Sequence, residues 1–364
     1  MSSLFEPLTL GAVRADNRVL MAPLTRMRAT VPGDVPNDLM REYYVQRAGA
    51  GLLISEGTQV SPEGKGYMDT PGIYSDDQVA GWRRVTDAVH EAGGRIAAQL
   101  WHVGRVSHES FHDGALPVSA SAVPFRNRTT VRGDDGRPTR VACPTPRALE
   151  LDEIPRLLED FRRATVNARE AGFDLVEIHG AHGYLLHQFL AADSNQRTDE
   201  YGGSLENRAR LMLEVTDAVV GAWSADRVAV RISPIGSFNG TTDPEGPEAG
   251  LYVARELGAR GLAFLHLSEP DWAGGPVLDE DYRRALRQAH PGPIVGAGNY
   301  DRDKAERLLR EGLIDAAAFG RSFIANPDLP RRLADDLPLN VPQPETFYGG
   351  SEAGYTDYPA YGAA

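Results

Sequence analysis

Asp174-Leu175-Val176-Glu177-Ile178-His179, followed at once by Gly180-Ala181-His182-Gly183-Tyr184, is the stretch from which the fold can be read. The first six residues are a short, mostly apolar run, the length of a buried strand. The next five mix glycine with polar groups, the mark of a loop. A helical period at 152–171 precedes the run and another at 204–223 follows it, so strand and helix alternate. Seven similar runs lie outward from it, at 19–21, 51–56, 95–101, 227–233, 262–268, 293–297 and 316–320. Further helical periods stand at 76–92, 279–289 and 301–311. Several open on Asp or Ser suited to an N-cap, and several close at Gly93, Gly172 or Gly312. Eight strand–helix units predict an α/β fold, a single (β/α)8 TIM barrel, because closure leaves no free strand edge.

The 364 residues fit one such barrel, so 1–364 is read as a single domain. Two segments fall outside the strand–helix count. Residues 104–148 separate the third strand from its helix, and a connection that long predicts a capping subdomain with a hairpin of its own. The tail at 340–364, rich in Tyr, Gly and Pro, is expected to be a disordered end or a C-terminal strap across the barrel mouth.

Composition narrows the function. A chain 41% hydrophobic and 24% charged is globular, and a net charge of -13 argues against a nucleic-acid surface. Cys143 is the one cysteine, which excludes an internal disulfide and a cysteine metal cluster and fits a cytoplasmic setting. The opening residues lack the pattern of a signal peptide, and no apolar run approaches a membrane span. The expected partners are small molecules, and the chain is expected to act as a monomer or small homo-oligomer.

Barrel enzymes gather their chemistry at the C-terminal ends of the strands. Gly296, Gly298 and Gly320 there allow close backbone approach to an anion, and Arg321 adds a charge, which suggests a phosphate site. Tight turns alone also need glycine. Arg231 shares a strand face with Ala229 and Ser233, taken as the interior, where an arginine needs an anion. A flavin, negative at N1 when reduced, is one candidate, and Glu177 is the structural alternative. His179 and His182 admit three readings: structural hydrogen bonds, a zinc pair lacking further ligands, or two donors aimed at one oxygen. Tyr184, a phenol protonated at neutral pH, suits a general acid, and a packed aromatic is its plainer role.

With these residues assembled, the chain resembles the Old Yellow Enzyme family of FMN-dependent ene-reductases. The matching segments are Ala22-Pro-Leu-Thr-Arg26, the stretch from Gln99 to Arg105, that from Glu177 to Leu190, that from Asn195 to Gly203, Asn207-Arg208, Arg231-Ile-Ser-Pro234, the stretch from Phe319 to Asp328 and the tail from Phe347-Tyr-Gly-Gly350 to Pro359. The resemblance implies bound FMN, with NADPH or NADH as reductant and an electron-poor alkene as acceptor; nitrate esters and nitroaromatics are further candidates. It implies that Thr25 donates to flavin O4 with Pro23 and Leu24 beside the ring. Gly57, where the family often has alanine, serves through its backbone. Gln99 meets the pyrimidine edge and Arg231 lies near N1. Gly298, Asn299, Gly320 and Arg321 hold the phosphate. His179 and His182 grip the substrate oxygen, Tyr184 supplies the proton, and Tyr67, Trp101, Trp272 and Tyr348 wall the pocket. Thr25 places the chain in the branch without cysteine at that position, and Ser322 departs from the usual residue after Gly-Arg. No metal is implied. The competing expectation is a flavin-free barrel lyase or isomerase acting on a phosphorylated substrate.

Overall fold

In a computed structural model that describes residues 3–362, eight parallel strands close into a barrel. They are β1 (Val19–Met21), β2 (Leu53–Gln59), β3 (Ile96–Trp101), β4 (Leu175–His179), β5 (Val228–Ile232), β6 (Phe264–Ser268), β7 (Ile294–Ala297) and β8 (Ala316–Phe319). Each pairs with its neighbour in chain order, and β8 pairs with β1. The intervening helices are α1 (Asp38–Val45), α2 (Asp76–Glu91), α3 (Ile154–Glu170), α4 (Leu205–Ala222), α5 (Gly246–Ala259), α6 (Glu280–Ala289), α7 (Arg302–Arg310) and α8 (Leu329–Ala334). Ser75, Ser204, Asp279 and Asp301 cap α2, α4, α6 and α7 by accepting backbone N–H bonds. No described helix is long and apolar enough to cross a membrane.

Strand alternation sorts the side chains. Outward residues such as Leu100, Ile178, Val230 and Leu265 bury themselves against the helices in one large cluster. Inward residues Ile54, Ala97, Leu175, Ala229, Phe264, Val295 and Ala316 fill the lower barrel. A hairpin of Leu8–Leu10 and Val13–Ala15 plugs the bottom, with Leu10 and Val13 in that same cluster. Two residues further along the inward faces the side chains turn polar: Gln99, Glu177, Arg231 and His266. The apolar floor therefore ends where the mouth begins.

Most strand boundaries lie within one or two residues of expectation, and one differs by more. The second strand, expected to end at residue 56, continues to Gln59 through a bulge between Ile54 and Gly57, which places Gly57 inside it, opposite Gln99. An extra residue in one strand of a pair bends that strand at the rim. Among residues 104–148, Arg128–Arg132 and Pro138–Ala142 form an antiparallel hairpin, and Val118–Ser119 pairs with Arg147–Ala148.

The tail is a strap. Arg26 Nε donates to Phe347 O at 2.9 Å and its Nη2 to Gly354 O at 2.8 Å. Arg28 Nε donates to Ser351 O at 3.0 Å, and Gly349 N–H donates to Arg26 O. Tyr355 stacks on Tyr43 of α1 at 4.1 Å. Gly354, at φ +63, has no room for a Cβ against Thr346. Residues 363 and 364 of the predicted tail lie outside the described residues.

Candidate functional site

Carboxylate and histidine inside the barrel set the floor of the site. Glu177 Oε1 accepts from Gln99 Nε2 at 2.8 Å, and its Oε2 lies 2.6 Å from His266 Nδ1. Burial alone pushes this carboxyl up, but His266, Arg231 and Gln99 outweigh it and hold Glu177 below the usual carboxylate range. Arg231 stands beside this network without joining it. Its Nη2 reaches Ser268 Oγ at only 3.5 Å, its Nε has no partner, and no carboxylate among the described residues pairs with it. Burial lowers its pKa to about 10, so it is still a cation at neutral pH. The salt bridge with Glu177 entertained from the sequence is not formed: Glu177 spends its oxygens on Gln99 and His266.

The loop after β4 carries His179, His182 and Tyr184. Ala181 N–H donates to His179 Nδ1 at 3.3 Å, which leaves the ring proton on Nε2. His182 adopts φ +58, a left-handed conformation that a non-glycine residue holds only under restraint. Two bonds restrain it: its N–H donates to Ser233 Oγ at 2.8 Å, and its carbonyl accepts from Asn239 Nδ2 at 2.8 Å. Its Nε2 lies 2.8 Å from Ser268 Oγ. The two imidazoles meet edge to face with centroids 5.3 Å apart. Burial, then the Arg231 charge, drives both pKa values well below the ordinary histidine range. Both rings are therefore neutral hydrogen-bonding groups at neutral pH. Burial raises the Tyr184 phenol, which keeps its proton.

These groups share one cavity of about 270 Å³ at the C-terminal ends of the strands, the barrel face where chemistry was expected. Of the sequence-derived candidates, Pro23, Leu24, Thr25, Gln99, Trp101, His179, His182, Tyr184, Arg231, Trp272, Gly298, Asn299, Gly320, Arg321 and Tyr348 all line it. Phe347 and Tyr348 arrive on the strap. Arg321 has no carboxylate partner among the described residues and lies over the Trp272 ring at 5.9 Å. The Asn299 N–H donates to Asp271 Oδ1 at 2.8 Å, so one expected phosphate donor is engaged.

Three candidates stand elsewhere. Gly296 lies within β7, where an added Cβ would run into Tyr300, and is not part of the cavity lining. Gly57 is behind Trp101, where an added Cβ would lie 2.4 Å from the indole Cε3. Glycine there lets the indole rest against the strand. Tyr67 lines a second cavity beside the first and meets Tyr184, hydroxyl to hydroxyl, at 3.2 Å. Sequence reasoning missed His266 and Asn239. His266 and Ser268 share the inward face of β6, and that alternation was the available signal. Asn239 lies on a loop with no pattern to mark it.

Comparison with known proteins gives this geometry a context. Residues 3–340 match the model of the NADH:flavin oxidoreductase / NADH oxidase family. The chain is 43% identical to 12-oxophytodienoate reductase 1 of Oryza sativa subsp. japonica, over 98% of this chain and 92% of the relative. It is 41% identical to flavin oxidoreductase hxnT of Emericella nidulans, over 99% and 98%. Among solved structures, morphinone reductase superposes with a TM-score of 0.96 at 51% identity, covering 99% of this chain and 96% of that one. The old yellow enzyme homologue from Zymomonas mobilis gives 0.93 at 44%, covering 98% and 99%. The flavin-free lyase or isomerase expectation finds no support in these relatives. The chain belongs to the NADH:flavin oxidoreductase / NADH oxidase family, that of Old Yellow Enzyme, and is an FMN- and NAD(P)H-dependent oxidoreductase.

Proposed function

We propose that this cavity reduces activated C=C bonds of enones, maleimides and related electrophiles, with nitrate esters and nitroaromatics as further acceptors. One observation carries the proposal: two neutral imidazoles and a protonated phenol stand in one wall, beside a buried cation that lacks a carboxylate partner. The names of the relatives, 12-oxophytodienoate reductase and morphinone reductase, denote ketones, which supports an acceptor bearing a carbonyl.

The residues present fit FMN. Arg231 offers a buried, unpartnered Nε, Arg321 is a cation free of carboxylates among the described residues, and Gly298 and Gly320 keep the backbone open. Pro23, Leu24, Thr25 and Gln99 would hold the ring, with Arg231 on its N1 side. Gly298, Asn299, Gly320 and Arg321 would hold the phosphate. When bound, FMN supplies hydride, drawn from NAD(P)H, for the substrate β-carbon. His179 and His182 hold the substrate oxygen and stabilise the charge that gathers there. Because both are neutral, they polarise the carbonyl without first giving it a proton. Tyr184 then protonates the α-carbon. Trp101, Trp272 and Tyr348 confine the substrate and exclude water.

Tyr184→Phe tests the assignment. Flavin reduction by NAD(P)H is expected to stay near the wild-type rate, since no proton is needed there. Enone reduction should fall by roughly 10²–10⁴-fold, the range for losing a general acid. A quinone, which needs no carbon protonation, should still be reduced quickly. Stopped-flow traces separate the half-reactions, and a wild-type rate with the enone would remove Tyr184 from the role.

A further inference from the structure

Beside the catalytic cavity lies a second one of about 230 Å³, and Tyr184 forms part of the wall of both. The second cavity is polar. Tyr67, Asn239, Arg128 and Arg140 line it, with Thr25 and Tyr348 at the junction. The Tyr67 and Tyr184 hydroxyls lie 3.2 Å apart across the dividing wall. Trp101 fixes the pair, stacked on Tyr67 at 5.6 Å and edge-on to Tyr184 at 5.0 Å. Arg128 and Arg140 come from the capping hairpin, where the register Thr130↔Arg140 puts them on one face. Neither has a carboxylate partner among the described residues, in a chain whose net charge is -13 and whose arginines are widely ion-paired.

A phenol that gives up its proton in a filled site must be reloaded. The catalytic cavity then holds cofactor and product, so solvent reaches Tyr184 poorly from that side. Burial raises the pKa of Tyr184 and, more strongly, that of Tyr67, so neither phenolate persists and the proton must pass through both hydroxyls in one concerted step. Tyr184 also borders the second cavity, and on that side the Tyr67 hydroxyl is in hydrogen-bond contact with it, so the reloading path drawn from the geometry runs through Tyr67.

We propose that Tyr67 is a proton-relay residue: it passes its phenolic proton to Tyr184 as Tyr184 protonates the substrate, and is itself reloaded from the second cavity. This rests on the reading of Tyr184 as the acid. The step balances. The Tyr184 O–H bond breaks as the substrate C–H bond forms; the Tyr67 O–H bond breaks as that of Tyr184 re-forms; a solvent water protonates Tyr67 and departs as hydroxide. No electrons move beyond the hydride transfer. The negative charge born on the substrate oxygen ends in the second cavity, which Arg128 and Arg140 line.

The test uses the FMN holoenzyme, pre-reduced without oxygen and mixed with 2-cyclohexenone in H2O–D2O mixtures. Wild type should show a curved dependence of rate on deuterium fraction, the sign of two protons in flight. Tyr67→Phe keeps the ring stacked on Trp101. It should give a linear dependence and a rate roughly tenfold lower, the scale of one hydrogen bond to a charged group. Its reduction by NADPH and its oxidation by p-benzoquinone should stay unchanged. A curved dependence at the wild-type rate in Tyr67→Phe would overturn the relay. Tyr184→Phe in the same assay separates the two proposals: if it too runs at the wild-type rate, the acid assignment fails; if it alone is slow, only the relay fails.

Discussion

Arg231 is the residue whose setting says most about the cofactor. A buried guanidinium normally finds a carboxylate, because an unpaired charge in a low dielectric is costly. Here the nearest carboxylate, Glu177, is bonded to Gln99 and His266, and Arg231 Nε is left unpartnered. Arg231→Ala should therefore weaken FMN by about 1.5–3 kcal/mol, the worth of a hydrogen bond from a charged group. It should also lower the flavin potential, because the cation favours the reduced ring. Fluorescence titration and potentiometry measure both, and an unchanged potential would make Arg231 structural only. The histidines make a second prediction. If FMN binds as proposed, His179 and His182, as neutral donors, should bind phenolates against its electron-poor ring and give a long-wavelength charge-transfer band. Replacing both with alanine should abolish it; persistence of the band would place the oxyanion site elsewhere. Their pKa values also couple to stability. Each is lower in the folded chain than the unperturbed value of about 6.5. Above that pH both states are neutral and the histidines contribute nothing. As pH falls below about 6.5, the unfolded chain takes up protons the folded chain refuses, and stability is lost. Denaturant midpoints across pH 5–8 for wild type and the double alanine variant check the sign: the acid-side loss should shrink in the variant.

Strap, bulge and β4 loop each turn a sequence feature into geometry. Arg26 and Arg28 stand just after Thr25, so the segment that lines the cavity also clamps the tail that brings in Phe347 and Tyr348. Arg26→Ala removes donors from Phe347 O and Gly354 O and should cost about 2–4 kcal/mol of stability. Proteolysis within residues 340–362 should accelerate, with the barrel fragment left intact; unchanged cleavage would mean that Tyr355 and Arg28 hold the strap unaided. What was legible at this scale follows from physics. The strands showed because each couples a short apolar run to a polar end. The capped helices showed because Ser204, Asp279 and Asp301 announce them, while α2 was read from Asp76, one residue inside its Ser75 cap. The bottom hairpin did not, since three-residue strands such as Leu8–Leu10 are too short to display alternation. The bulge at Gly57 did not either, because only pairing with β3 defines it. The tail left two outcomes open, since nothing in its own residues reveals that Arg26 and Arg28, over 300 positions away, accept it.

Across the whole molecule, one closed barrel gathers side chains from seven of its eight strand ends into a single mouth, so most candidates meet although the chain scatters them from Pro23 to Tyr348. That convergence was readable because it follows from topology. The partition of the mouth into two cavities was not: Tyr67, Asn127, Arg140 and Asn239 come from segments without periodic pattern. A single catalytic cavity also implies that reductant and acceptor take turns in it. The direct measurement is an anaerobic titration of the purified protein, followed by absorbance. It should be yellow as isolated and bleach with one equivalent of NADPH or NADH per flavin. It should then regain its full spectrum on one equivalent of 2-cyclohexenone, with cyclohexanone as product. A colourless protein that cannot be loaded with FMN, or a bleached flavin that the enone fails to reoxidise, would contradict the assignment of this barrel mouth to ene reduction.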